Sequence, residues 1–176
     1  MTTPASVDVD YLQKKCRDSL YFLAEKVIGY KDWDECHTDM ELFLKRDSSK
    51  KLLLLPRGHL KTSMITIAKT TQFILKDPDV RILLANQIWD KARDMLFEIK
   101  EILTTKSDLP KIFGEFQSEN WNRDGIIVNQ RTRAHKEPTI ATTGVEAEST
   151  GGHYDKIILD DLMGLQNYGS PDSREK

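Results

Sequence analysis

The sequence predicts an α/β protein with a mostly parallel central sheet and helices on both faces. Three observations carry that expectation. Residues 52–55 are four consecutive leucines between Lys51 and Pro56, the pattern of a short strand buried on both faces; a polar turn then leads into helical spacing at Met64, Ile65, Ile67 and Ala68. Arg81-Ile82-Leu83-Leu84-Ala85 is a second apolar run, followed by Ile88, Ala92, Leu96, Ile99 and Leu103 on one helical face, so strand and helix alternate twice. The third is Tyr154-Asp155-Lys156-Ile157-Ile158-Leu159-Asp160-Asp161, an apolar strand that ends on two acids.

In chain order, residues 1–7 read as a frayed tail. Leu12, Cys16, Leu20, Leu23, Ala24, Val27 and Ile28 follow helical spacing, and Gly29 closes that helix. A shorter helix is expected over 36–45, with His37, Met40, Phe43 and Leu44 on one side, and Asp47-Ser48-Ser49 turns the chain into the leucine run. The helix opened by Lys61 should run to about Leu75, where Asp77-Pro78 stops it. Asn86 is placed to cap the next helix. Leu109 to Phe113 is a connector, and 125–128 and 138–143 are strands. The loop joining them, Asn129-Gln130-Arg131-Thr132-Arg133-Ala134-His135-Lys136, is a dense positive patch. It fits a solvated hairpin tip, a DNA contact or a contact with a neighbouring subunit.

Composition bounds the function. A chain of 176 residues is large enough for one domain with its own core, and 39% hydrophobic with 31% charged residues is a globular balance. The net charge of −2 gives no global basic field, so any nucleic-acid contact must be local. Cys16 and Cys36 lack metal-ligand spacing and read as reduced thiols. No apolar run approaches membrane-spanning length, and the start Met1-Thr2-Thr3-Pro4 has no signal-peptide core.

Two stretches carry chemistry. Strand, tight turn, Lys61-Thr62 and helix make the outline of a phosphate-binding loop, in which backbone N–H groups and a helix N-terminus cradle anionic oxygens. Lys61 would reach the β/γ-phosphates and the Thr62 hydroxyl would ligate Mg²⁺. In the pattern G-x-x-x-x-G-K-[ST] the glycines would fall at Leu55 and Leu60, so only Gly58 is conformationally permissive. A buried strand leading into an ordinary surface helix, with Lys61 solvated, fits the same residues. The second stretch is Asp160-Asp161, placed where one carboxylate would hold hydrated Mg²⁺ and the next would orient or deprotonate the attacking water; an Asp pair also serves as a turn or helix cap. His37, upstream of the loop, is either an adenine reader or a half-buried helix-start histidine.

Pro56-Arg57-Gly58-His59-Leu60-Lys61-Thr62-Ser63, followed 99 residues after Lys61 by Asp160 at the end of Ile157-Ile158-Leu159, resembles the ATPase half of a tailed-phage large terminase subunit. The resemblance covers roughly residues 33–165. It implies a RecA-like, additional-strand P-loop NTPase domain over 33–176, preceded by a helical extension over 1–32. The implied activity is ATP-driven packaging of double-stranded DNA into a procapsid, with ATP and Mg²⁺ as cofactors. The implied partners are DNA, the portal protein and the small terminase subunit, in a homo-oligomeric ring in the host cytoplasm. By motif matching, residues 56–63 bind the phosphates, Thr62 and Asp160 hold Mg²⁺, Asp161 is the catalytic carboxylate, and Arg57 touches or senses the γ-phosphate.

Departures from the family pattern leave two rival classes open: a helicase-like translocase and a non-hydrolysing P-loop scaffold. Many relatives carry Glu where Asp161 stands. Many also place an Arg beside the glycine before the second motif, where Glu148-Ser149-Thr150-Gly151-Gly152-His153 has none; Arg131 or Arg133 is then a candidate for reaching a neighbour's nucleotide. The resemblance also implies a strand between the two motif strands, which Leu162-Met163-Gly164-Leu165 is too short to supply. The sheet is therefore expected to lack a strand, or to take it from another part of a longer protein, and the chain to be marginally stable, with nucleotide binding weak if any and neither sustained ATPase nor DNA cleavage.

Overall fold

The computed structural model describes residues 8–31, 33–56, 58–145 and 152–162. Helix α1, Val9–Asp18, is capped by the Asp8 carboxylate, which accepts from Tyr11 N at 3.1 Å. The helix expected to run on to Ile28 breaks at Ser19, whose backbone is extended. Local capping chemistry causes the break: Ser19 Oγ accepts from Phe22 N, and the Glu41 carboxylate accepts from Leu20 N and Tyr21 N. The chain resumes as a π-helical segment, Phe22–Ile28, which Gly29 closes at φ 91° as expected.

Helix α2, Glu35–Lys45, starts from a capping box in which the Asp34 side chain accepts from His37 N while His37 Nδ1 accepts from Asp34 N. A second π-helical segment, Thr62–Lys69, continues into α3, Thr70–Lys76, which ends at Asp77. Helix α4, Trp89–Thr104, buries Ala92, Leu96, Ile99, Ile102 and Leu103. At roughly 1.5–3 kcal/mol for each buried Leu or Ile, this face anchors the helix. Ile88 does not belong to it; it is exposed at the helix cap, and Asn86 Oδ1 holds the turn by accepting from Ile88 N. The connector Leu109–Phe113 is a short helix, α5.

Strands β1 (Ile82–Asn86), β2 (Gln117–Trp121), β3 (Gly125–Val128), β4 (Ile140–Gly144) and β5 (Lys156–Asp160) form one sheet in the order β2-β3-β4-β1-β5. β1 runs parallel to β4 and β5, whereas β2–β3 and β3–β4 are antiparallel. The sheet is therefore mixed, not mostly parallel, because the links after β2 and β3 are too short for helical crossovers.

Among the described residues, the helices that pack on the sheet share one face, not both. The main apolar cluster joins Ile82, Leu84, Ile126, Val128 and Ile140 to Cys16, Leu23, Ile67, Ile74, Leu96, Ile99 and Leu103, with Ile158 packed against it. These strand residues lie on one sheet face. On the opposite face Leu83 and Ala85, in register with Ile157 and Leu159, join neither apolar cluster among the described residues.

Residues 52–55 form no strand, which corrects the first expectation. Leu53 and Leu55 pack against a smaller cluster of Leu20, Ala24, Met40, Met64 and Ala68, while Leu52 and Leu54 are 76% and 81% exposed. A buried strand needs a ladder partner for its backbone groups. None is present: β5 pairs only with β1 among the described residues, and its Ile157 and Leu159 are also exposed. Residues 52–55 do not pair directly with β5, and the segment after Leu162, on which the expectation of a missing strand rests, lies outside the described residues. No helix among them is long and apolar enough to cross a membrane.

The parallel strands give the molecule two distinct ends. Gly144, Asn86 and Asp160 lie in register at the C-terminal end of β4, β1 and β5. At the opposite end Arg81 donates to both Asp155 carboxylate oxygens, at 3.0 and 2.8 Å, and this pairing holds the Asp155 carboxyl at about 2. Glu137 lies 3.7 Å from Arg81 and accepts from His153 N. Together these contacts fix the start of β5.

Candidate functional site

The tip of β5 meets the start of the Thr62–Lys69 helix. Asp160 shares the helix-facing side of its strand with Ile158, and its Oδ2 accepts from Thr62 Oγ1 at 2.9 Å and from Thr66 Oγ1 at 3.1 Å. Residues 98 and 94 positions apart in sequence are thereby joined at one carboxylate oxygen. Thr66 carries no motif signal, and sequence reasoning missed it. The signal available was its i, i+4 spacing from Thr62, which puts both hydroxyls on one helix face.

The preceding loop has the backbone that an anion cradle needs. Gly58 has φ 86°, and Leu60 has φ 48°, a left-handed conformation costing a leucine about 1–2 kcal/mol. Leu60 stands where the pattern has its second glycine, so this position adopts a glycine-type backbone despite its Cβ. Alternation of left- and right-handed residues turns successive N–H groups inward. No side chain caps the following helix, which leaves its N-terminal N–H groups to the loop. Lys61 Nζ donates to Leu55 O at 2.6 Å, closing the loop on its own entry carbonyl. Pro56 and Gly58 are exposed, and His59, Leu60, Lys61, Thr62 and Ser63 are half-buried. Arg57 lies outside the described residues, as do positions 148–151 of the segment before β5 and Met163 to Leu165 beyond it.

Asp161 is exposed, with φ 47°, and its carbonyl accepts from Gln87 N at 3.3 Å. The positive φ ends the strand between the two acids, so strict alternation does not carry past Asp160. No hydrogen bond of the Asp161 carboxylate occurs among the described residues.

His37 is buried one helical turn before Met40, which packs with Met64 of the loop's helix. Nδ1 lies 3.0 Å from the Asp34 amide nitrogen and 2.8 Å from Asp34 Oδ1, and Nε2 is buried with no hydrogen-bond partner among the described residues. Trp33 stands against the His37 ring at 5.7 Å between centroids. Lys69, on the same helix as Thr62, is buried against Gln72 Oε1 at 2.7 Å, and burial pushes its ammonium down to about 8.

The donor set suits a hard cation. One hydroxyl and one carboxylate oxygen converge, and a Mg²⁺ ion of a nucleotide complex is held by one or two protein oxygens plus phosphates and water. Among the described residues no group of three or more His, Cys, Asp or Glu side chains is placed to hold a metal alone. Arg131 and Arg133 lie away from this site, in the loop at the N-terminal end of β4, about one strand length or roughly 15 Å away.

Compared with known proteins, the chain is 28% identical over 145 residues, 81% of its length, to the large terminase subunit of Enterobacteria phage T3. The chain is similar to a phage terminase large subunit. It spans 24% of that terminase protein's length. No protein-family model matches it.

Proposed function

We propose that this chain is the nucleotide-binding part of a P-loop ATPase, of the RecA-like additional-strand type, that drives packaging of double-stranded DNA into a viral procapsid. The observation that carries the reading is the meeting of Thr62, Thr66 and Asp160 at the mouth of a helix preceded by a left-handed loop. Similarity to a terminase large subunit supports the packaging role.

On this reading residues 56–63 wrap the phosphates, with Lys61 exchanging its bond to Leu55 O for the β/γ-phosphate oxygens. Thr62 and Asp160 hold Mg²⁺, whose charge neutralises the phosphate oxygens when it is bound. Thr66 holds the Asp160 carboxylate in place. Asp161, exposed beyond the strand end, orients or deprotonates the attacking water, and Arg57 senses the γ-phosphate. His37 reads adenine through its Nε2, unpartnered among the described residues. DNA, the portal and the small terminase subunit are the partners of such a motor, which would act as a ring in the host cytoplasm.

Mg-ATP binding and hydrolysis by the assembled full-length protein and its Lys61→Ala and Asp161→Asn variants test this. Lys61→Ala should lose Mg-ATP binding with its fold intact, and Asp161→Asn should bind but not turn over. Equal turnover by Asp161→Asn and parent would return Asp161 to the role of a cap.

A further inference from the structure

The strongest charged feature outside the nucleotide site lies at the other end of the sheet. An open groove of about 560 Å³ runs between the β2–β3 hairpin and the 129–136 loop, lined by Ser118, Asn120, Asn129, Arg131, Arg133 and His135 among others. We propose that this groove binds the phosphate backbone of duplex DNA; the choice of DNA rests on the packaging reading above.

Charge and rigidity both point to a polyanion. Arg131, Arg133 and Lys136 fall within eight residues of a chain whose net charge is −2. The acids that act on Arg131 are Asp79, Glu137 and Asp155; Glu137 and Asp155 are engaged by Arg81, and Asp79 is committed to the loop's shape, accepting from Thr132 N at 2.7 Å, Thr132 Oγ1 at 2.8 Å and Arg133 N at 2.7 Å. Asn129 N and Gln130 Nε2 are tied to Phe116 O and Glu115 O, so the loop is held at both its base and its middle. Arg133 is left with a 72% exposed side chain whose Nε lies 3.7 Å from Asp79. Arg131 donates from Nη2 to Glu137 O, and its Nε and Nη1 are buried with no partner among the described residues, so it adds charge beneath the groove while Arg133 carries the exposed donors. The exposed Arg133 guanidinium, beside asparagine amides and a histidine, suits phosphate oxygens better than an apolar ligand. Glu119 is the acidic residue in the lining, at the hairpin side away from the arginines in sequence.

Placement at the end of the sheet away from Asp160 separates this groove from the nucleotide. Its DNA affinity should therefore not need ATP, and its arginines cannot touch the nucleotide of their own subunit.

The test is fluorescence anisotropy of a labelled 30-base-pair duplex between 50 and 200 mM NaCl, with parent, Arg133→Ala, Arg133→Ala/Lys136→Ala and Arg133→Lys. Each lost phosphate contact should lower the slope of log affinity against log salt by about 0.9 and weaken binding roughly three- to tenfold at low salt. Arg133→Lys should keep the parent slope. Both side chains are exposed, so melting temperatures should stay within a degree or so. Parent-like affinity and slope in the double variant, or no binding by the parent at 50 mM salt, would overturn the groove. The Mg-ATP melting shift of the same samples reads the nucleotide site separately: its absence beside a groove-dependent DNA signal would sink the ATPase reading and leave the groove standing.

Discussion

Replacing Asp160 by Asn separates a metal ligand from a structural hydrogen-bond acceptor. In the structure its carboxylate takes two hydroxyl donors, Thr62 at 2.9 Å and Thr66 at 3.1 Å. A hydrogen bond to a charged group contributes about 1.5–3 kcal/mol, and here the site is half-buried and the asparagine carbonyl still accepts. The expected loss without nucleotide is therefore about 1–2 kcal/mol, or roughly 2–8 °C for a domain of this size. Mg-ATP at a hundred times its dissociation constant stabilises the parent by about 2.7 kcal/mol, roughly 5–11 °C. Asp160→Asn should lose most of that second shift, since a neutral amide is a poor Mg²⁺ ligand. Thr66→Val provides the contrast: it removes one hydrogen bond and keeps the carboxylate, so the baseline should fall by about 1 kcal/mol with the Mg-ATP shift largely retained. Differential scanning fluorimetry with Mg-ATP, and with ATP in EDTA, reads all four quantities. A full Mg-ATP shift in Asp160→Asn on a lowered baseline would refute the metal role and leave Asp160 as a brace between strand and helix.

Three further outcomes follow from single sites. Gly58→Ala should destabilise by about 1–2 kcal/mol in urea, because φ is 86° yet no atom lies within 4 Å of the added Cβ, so the cost is purely conformational; an unchanged midpoint would mean the loop does not hold that backbone in solution. Ile157→Lys, on the open edge and 59% exposed, should leave stability within about 0.5 kcal/mol and reduce self-association in sedimentation velocity, whereas a loss of several kcal/mol would show that this face is covered. Lys69, pushed down to about 8 by burial, releases its proton in the folded state before the unfolded chain does near 10.5. Stability from this group thus rises with pH between those values, by about 2 kcal/mol from pH 8 to 10, and Lys69→Met should lack the rise. Cys16, pushed up to about 11, works in the opposite direction above pH 9 in both proteins, so the difference between their urea curves isolates Lys69; parallel curves would rule the buried charge out.

The residues of the candidate site were legible because their chemistry is local. Lys61-Thr62 at a helix start and Asp160 at a strand end each follow from a short pattern, and the α/β alternation between them predicts that the two ends meet. What the sequence did not disclose depends on partners. Four leucines read as a buried strand, but burial of a strand requires a ladder on each side, and residues 52–55 have none among the described residues. Strand β2, Gln-Ser-Glu-Asn-Trp, has mostly exposed side chains, so no alternation marked it; its existence depends on pairing with β3. The break at Ser19 was hidden because helical apolar spacing continues across it, while the groups that make the break, Ser19 Oγ and the distant Glu41, are polar.

The same dependence on partners explains the contrast between the two ends of the sheet. At the Asp160 end, the side chains that meet come from elements whose order the sequence shows, so their meeting could be expected before their distances were known. At the other end, the basic loop was visible as charge, yet a solvated tip, a DNA contact and a subunit contact all fitted it. The structure narrows these readings through Asp79, whose carboxylate spends its accepting capacity on Thr132 and the Arg133 amide. A loop tied down in that way has already lost the conformational freedom of a hairpin tip, and ordering it on a ligand costs little further entropy. Its separation from Asp160 by about a strand length also removes Arg131 and Arg133 from the chemistry of their own subunit's nucleotide. On the proposed reading, DNA binding and nucleotide turnover lie at opposite ends of one sheet. Substitutions in the loop should change DNA affinity without changing the Mg-ATP shift, and substitutions at Asp160 should do the reverse.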